Sequence, residues 1–126
     1  MPDHKRRFPY GIRPTRQLTG VAFNPEEFLR VPMHVLVGEL DVADKNMRHT
    51  ERLDRQQGKT RLERAHNWVA AMRQAAVVYG LPPLVTIDAV ADIDHSFKRF
   101  CRRGALPERV MSFLFDVETE SAVVSV

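Results

Sequence analysis

One cysteine, Cys101, is all this 126-residue sequence has, which excludes an internal disulfide framework and favours a cytosolic setting. No apolar run approaches the length of a membrane span. The basic opening, "MPDHKRRFPYGIRP", is followed by no apolar core of a signal peptide, so a cytoplasmic location is expected. His4, His34, His49 and His66 show no metal-ligand spacing, and there is neither an H-E-x-x-H motif nor a cysteine cluster. No metal and no cofactor are therefore expected. Internal repeats and low-complexity stretches are missing too. The net charge of +3 is modest, and the positive residues are spread over 5–7, 48–64 and 98–103. In the middle block they are interspersed with Glu51, Asp54 and Glu63. No nucleic-acid-binding motif is present, so neither nucleic acid nor a membrane is an expected partner.

What remains is a chain of ordinary globular composition, 44% hydrophobic and 28% charged, long enough for one core. Residues 1–30 are rich in Pro, Arg and Gly and read as an irregular N-terminal arm. Within it, "NPEEFL" suits one helical turn, with Asn24 as N-cap and Pro25 at the first helical position. Residues 31–126 read as an α/β unit. Met33, Val35, Leu36 and Val37 form a short apolar run between Pro32 and Gly38, the pattern of a strand buried on both faces. Residues 45–56 read as a polar helix, with Asp44 as a candidate N-cap. Over 60–79, Leu62, Ala65, Val69, Met72, Ala76 and Tyr79 recur at helical spacing, and Gly80 with Pro82 and Pro83 supplies the stop. "LVTIDAV" at 84–90 is a second strand. Residues 98–103 read as a solvated loop, and Trp68 and Phe97 as packing residues. "LPERVMSFLF" reads as a last helix with Leu106, Val110, Phe113 and Leu114 facing inward. The tail "ESAVVSV" is a third strand or a frayed end.

Two strands joined by a helical crossover are normally parallel and right-handed, and their carboxyl ends share one edge, where sites form in open α/β sheets. Asp41 follows the first strand and His95, in "VADIDHSFKRF", follows the second. An acid and an imidazole on neighbouring loops can form a pair in which the acid fixes the tautomer and the other ring nitrogen carries protons. The ordinary readings are turn chemistry for Asp41 and an exposed loop histidine for His95. Asp44 remains the rival acid.

"VLVGELD" resembles the acid-bearing turn of the α/β-hydrolase superfamily, and "DHSF" resembles its histidine loop. "QQGKTRLERAHNWVAAM" and "RFPYGIR" are similar to the helix between those elements and the segment ahead of them in an esterase/peptidase-like branch. The resemblance spans most of residues 8–115. It implies serine-type hydrolysis of an ester, thioester or amide, with Asp41 orienting His95. It departs from the family at one decisive place. The superfamily orders its triad Ser, acid, His, with the serine in a G-x-S-x-G elbow. This sequence has no such elbow, and its serines, Ser96, Ser112, Ser121 and Ser125, all follow Asp41. Ser96 adjoins His95 and Cys101 is a lone thiol, so neither is favoured as nucleophile. In addition, Asp94 stands where the family often has Gly.

The expectation is a partial α/β-hydrolase fold of two or three parallel strands with flanking helices: the C-terminal part of a hydrolase, truncated and inactive alone. The alternatives are a small non-catalytic α/β binding or interaction module, and a subunit that completes a hydrolase supplied by another chain. In the hydrolase reading the first strand has lost a neighbour. Self-association, a complementary N-terminal hydrolase segment, or cover by residues 1–30 or 120–126 would then be needed at its edge.

Overall fold

A computed structural model describes residues 25–43 and 45–115, with Lys5. The candidate cap Asn24, the rival acid Asp44, the segment before them and the "ESAVVSV" tail lie outside the described residues. The elements are α1 (Pro25–Leu29), β1 (Met33–Gly38), α2 (Glu51–Gln57), α3 (Arg61–Val78), β2 (Val85–Val90), α4 (Phe97–Arg103) and α5 (Leu106–Phe115). Among the described residues the sheet has two strands, β1 beside β2. The Met33 amide donates to the Leu84 carbonyl at 3.1 Å and the Glu39 amide to Val90 at 2.9 Å. Pairing thus advances in the same direction along both strands, which makes them parallel. Parallel strands need a crossover, and α2 with α3 supplies it. This is a partial α/β fold, as expected.

By its contacts the chain divides into two units, and the division falls inside both strands. The first takes in residues up to Val35 with Arg64–Ile87. Its core is Leu29, Val69, Met72, Ala75, Ala76 and Val85, with Phe28, Met33, Val35, Leu81 and Ile87 packed against it. The buried face of α3 is Val69, Met72, Ala75 and Ala76, the three–four spacing that keeps residues on one side of a helix. Tyr79, expected on this stripe, is 40% exposed because the helix has already ended at Val78. Gly80 adopts φ 68°, in the left-handed region, and the Leu81 amide reaches back to the Ala76 carbonyl at 2.9 Å. That bond closes a Schellman-type end and explains the stop. Arg73 then ties α3 to β2 by donating to the Val85 carbonyl at 2.8 Å.

The second unit takes in Leu36–Glu63 and the residues from Asp88 onward. Its buried apolar residues are Val37, Leu53, Val90 and Ile93. The helix expected from 45 begins at Glu51, because the Thr50 side chain accepts from the Leu53 amide at 3.1 Å and caps it there. The expected cap at Asp44 is thereby replaced. The segment at 98–103, read as a solvated loop, is helical as part of α4: Ser96 accepts from the Arg99 amide at 3.3 Å and starts it. Phe97 is 75% exposed, so it is not a packing residue, and Trp68 is exposed as well. Helix α5 forms as expected, but none of its residues is buried. Val110, Phe113 and Leu114 are exposed instead of facing a core. Likewise β1 is only half-buried from Met33 to Leu36, and only Val37 and Gly38 are buried. Among the described residues, two strands and their helices leave too little on either side to cover them.

Candidate active site

The site starts from Gly38, the last residue of β1. A Cβ built there would stand 2.1 Å from the Ile93 carbonyl oxygen and 2.8 Å from that of Asp94. No side chain fits, so glycine permits the end of β1 to lie against the backbone that leads to His95. Beyond Gly38 the chain turns at once. The Leu40 amide donates to the Ile93 carbonyl at 2.8 Å, and the Asp41 amide donates to the Gly38 carbonyl at 3.0 Å. Ile93 is fully buried and anchors the second loop. Asp92, just before it, takes φ 60°, a left-handed conformation that Asp tolerates better than most residues. Asp94 accepts from the Ser96 amide at 3.0 Å and pairs with Arg99, which fixes the exit from the loop. These bonds account for Asp94: both of its carboxylate oxygens are engaged in shaping the loop.

The two loops bring Asp41 and His95 together. His95 Nδ1 lies 2.8 Å from Asp41 Oδ2. An ionised carboxylate only accepts, so the Nδ1–H donates and the neutral imidazole is held in one tautomer. The two partners differ sharply in exposure: the Asp41 side chain is 6% exposed and that of His95 is 66% exposed. A buried, held carboxylate behind an accessible imidazole is what proton transfer at a surface-opening site requires. Ser96 spends its side chain on the cap of α4, in keeping with the reading that it is not a nucleophile. Cys101 is partly buried on α4. Among the described residues no group of His, Cys, Asp and Glu is arranged to hold a metal ion, and no helix is long and apolar enough to cross a membrane.

A second histidine–aspartate pair exists. His49 Nδ1 lies 2.9 Å from Asp54 Oδ1 and 3.1 Å from Oδ2. It is local, five residues apart across the start of α2, and serves the helix end rather than joining two strand-following loops. One participant at the Asp41 site carried no sequence motif. Arg61 Nη1 stands 3.7 Å from Asp41 Oδ1, and the Arg61 side chain is 23% exposed. Its only sequence signal is its place as the first residue of α3 after Thr60, whose hydroxyl accepts from the Glu63 amide at 3.1 Å.

The fold is a partial α/β fold, two parallel strands flanked by helices, with Asp41 and His95 on the loops that follow the strands. Among solved structures the chain is similar to LpqC, a poly(3-hydroxybutyrate) depolymerase from Bordetella parapertussis, with a TM-score of 0.66 and 29% sequence identity. The match covers 92% of this chain and 36% of the depolymerase chain, so this chain spans about a third of that protein's length. That coverage fits a fragment of an α/β-hydrolase. No family model matches this chain, and no curated protein matches it.

Replacing Gly38 by Ala forces the β1 end away from Ile93. The Gly38→Ala variant is expected to lose about 1–3 kcal/mol of stability in urea unfolding, the usual cost of overpacking, or more. A variant as stable as the parent would contradict the close approach.

Proposed function

We propose that this chain is the C-terminal, acid-and-base-bearing part of a serine-type α/β-hydrolase that acts on an ester, thioester or amide, and that it is inactive alone. The observation that carries the reading is the 2.8 Å contact between His95 Nδ1 and the buried Asp41 carboxylate, formed between loops that follow two parallel strands. In this mechanism Asp41 holds the imidazole in the Nδ1–H tautomer and stabilises the imidazolium. The other ring nitrogen of His95 takes the proton from a serine hydroxyl as it attacks the carbonyl, then gives it to the leaving group. The serine, in its G-x-S-x-G elbow, and the oxyanion donors would come from a preceding segment, since the superfamily order puts the nucleophile ahead of the acid. Asp41 is the acid in this reading and Asp44 is not.

One observation favours a second reading, a non-catalytic α/β interaction module: the sequence contains no G-x-S-x-G at all. Esterase assays separate the two. The purified chain is expected to hydrolyse p-nitrophenyl acetate no faster than a histidine-containing control peptide, because nucleophile and base act as a unit. Joined to a preceding α/β-hydrolase segment that carries a G-x-S-x-G elbow, it is expected to gain saturable activity. His95→Ala then removes that activity, and Asp41→Asn lowers it by up to about 10⁴-fold. A robust rate from the chain alone, abolished by His95→Ala, would overturn the missing nucleophile. No gain in the joined form, with both parts folded, favours the interaction module.

The same reading supplies a partner for surfaces that are open here. Helix α5 exposes Val110, Met111, Phe113, Leu114 and Phe115 in ten residues, an apolar face of the kind that marks an interaction site. A complementary N-terminal hydrolase segment would cover it, and without one a second copy would. Light scattering is expected to show a mass that rises with concentration in the micromolar range. A concentration-independent monomer would refute this association.

A further inference from the structure

We propose that Arg61 is a positioning residue of the Asp41–His95 pair: it holds the second carboxylate oxygen so that the first stays on the imidazole. The inference rests on the hydrolase reading above and deepens it. A carboxylate has two oxygens and rotates about its terminal bond. A single hydrogen bond to an exposed imidazole does not fix that rotation. Asp41 Oδ2 is on His95, while Asp41 Oδ1 is buried and has no hydrogen-bond partner. A buried carboxylate oxygen without compensation is costly, and the cost falls when a cation stands beside it. Arg61 Nη1 at 3.7 Å is the cation that faces it.

The guanidinium is not a loose surface charge. Arg61 Nη1 donates to the Ala43 carbonyl at 3.2 Å, and Nη2 donates to the Lys45 carbonyl at 2.8 Å. Both carbonyls belong to the segment that runs on from Asp41. The fork is therefore braced by the loop that carries the acid. The residue after Arg61 closes the arrangement: the Leu62 amide donates to the Asp41 carbonyl at 3.2 Å. The start of α3 thus grips the acid's loop by its backbone and faces its side chain with a positive charge. Arginine suits this because its planar fork reaches two acceptors and a third group at once, which a lysine ammonium on a flexible stem does less well. Asp41 lies between His95 on one oxygen and Arg61 on the other. The second contact turns a swivelling acceptor into a fixed one.

The tautomer of His95 reads this directly, without catalysis. The side chain of free histidine favours the proton on Nε2, whereas a fixed carboxylate on Nδ1 selects Nδ1–H. Ring-nitrogen NMR of the ¹⁵N-labelled full chain, at a pH where the imidazole is neutral, measures the ratio of the two forms. The parent chain is expected to be mostly Nδ1–H. Arg61→Gln keeps an amide donor for a loop carbonyl but removes the charge, and it is expected to lower the Nδ1–H to Nε2–H ratio by about fivefold, the scale of one modest ion pair. Arg61→Lys keeps the charge and is expected to stay closer to the parent. An unchanged ratio in folded Arg61→Gln overturns the inference: Arg61 would then only staple the loop, and its loss would show in unfolding alone. Arg61→Lys departing further than Arg61→Gln overturns it as well. Asp41→Asn separates the two levels of the account. If it too leaves the ratio unchanged, the Asp41–His95 pairing itself fails, and not merely the role of Arg61.

Discussion

The close approach of Gly38 to the Ile93 backbone is the constraint on which the site depends. A side chain at position 38 would meet a carbonyl oxygen at 2.1 Å, so β1 could not end where it does. Because it does end there, the Glu39 amide completes the parallel pairing on Val90 and the Leu40 amide takes the Ile93 carbonyl. Two loops that are far apart in sequence are stitched by backbone bonds within three residues of the strand ends. Asp41 and His95 then need no long reach. The acid comes to the imidazole through main-chain geometry, and their 2.8 Å separation follows from it.

Burial divides the labour between them. The carboxylate is taken out of water, where its charge must be met by partners, and the imidazole is left in the open. In the proposed hydrolase reading such a pair works with a third group that gives up a proton. The serines of the described segment do not supply it. Ser96 caps α4, and Ser112 lies within α5, off any elbow. The half-buried β1 and the exposed face of α5 belong to the same picture, since both carry more apolar surface than two strands and their helices cover.

Much of this was legible in the sequence, and the unread parts share a cause. Both strands and the long α3 were visible because their patterns are strong: a short run of Met33, Val35, Leu36 and Val37, a β-branched "LVTIDAV", and a stripe ended by Gly80. The meeting of Asp41 and His95 was visible because each follows a strand and parallel strands open at one edge. Local polar chemistry was harder. Thr50, not Asp44, sets the start of α2, and both residue types are good caps. Helix α4 hid behind its charges, since four of the seven residues of "FKRFCRR" are basic and its apolar Phe97, Phe100 and Cys101 span little more than one turn after the Ser96 cap. Burial failed where a segment's own pattern implies a core that the described residues do not provide. The apolar spacing of α5 is correct for a packed helix, yet Leu114 is 61% exposed. Arg61 could not be read at all, because its role depends on where the loop after Asp41 turns back, and no periodicity encodes that.

The central claim is that His95 is energetically tied to Asp41 and to no other acid. Double-mutant cycles in urea unfolding measure that tie, with Asp41→Asn and His95→Gln in one cycle and Asp44→Asn and His95→Gln in the other. The account predicts a coupling of about 1 kcal/mol for Asp41 with His95, the net worth of a typical hydrogen bond. It predicts coupling within roughly 0.3–0.5 kcal/mol of zero for Asp44, the level at which independent sites add. Coupling to Asp44 with none to Asp41 would contradict it.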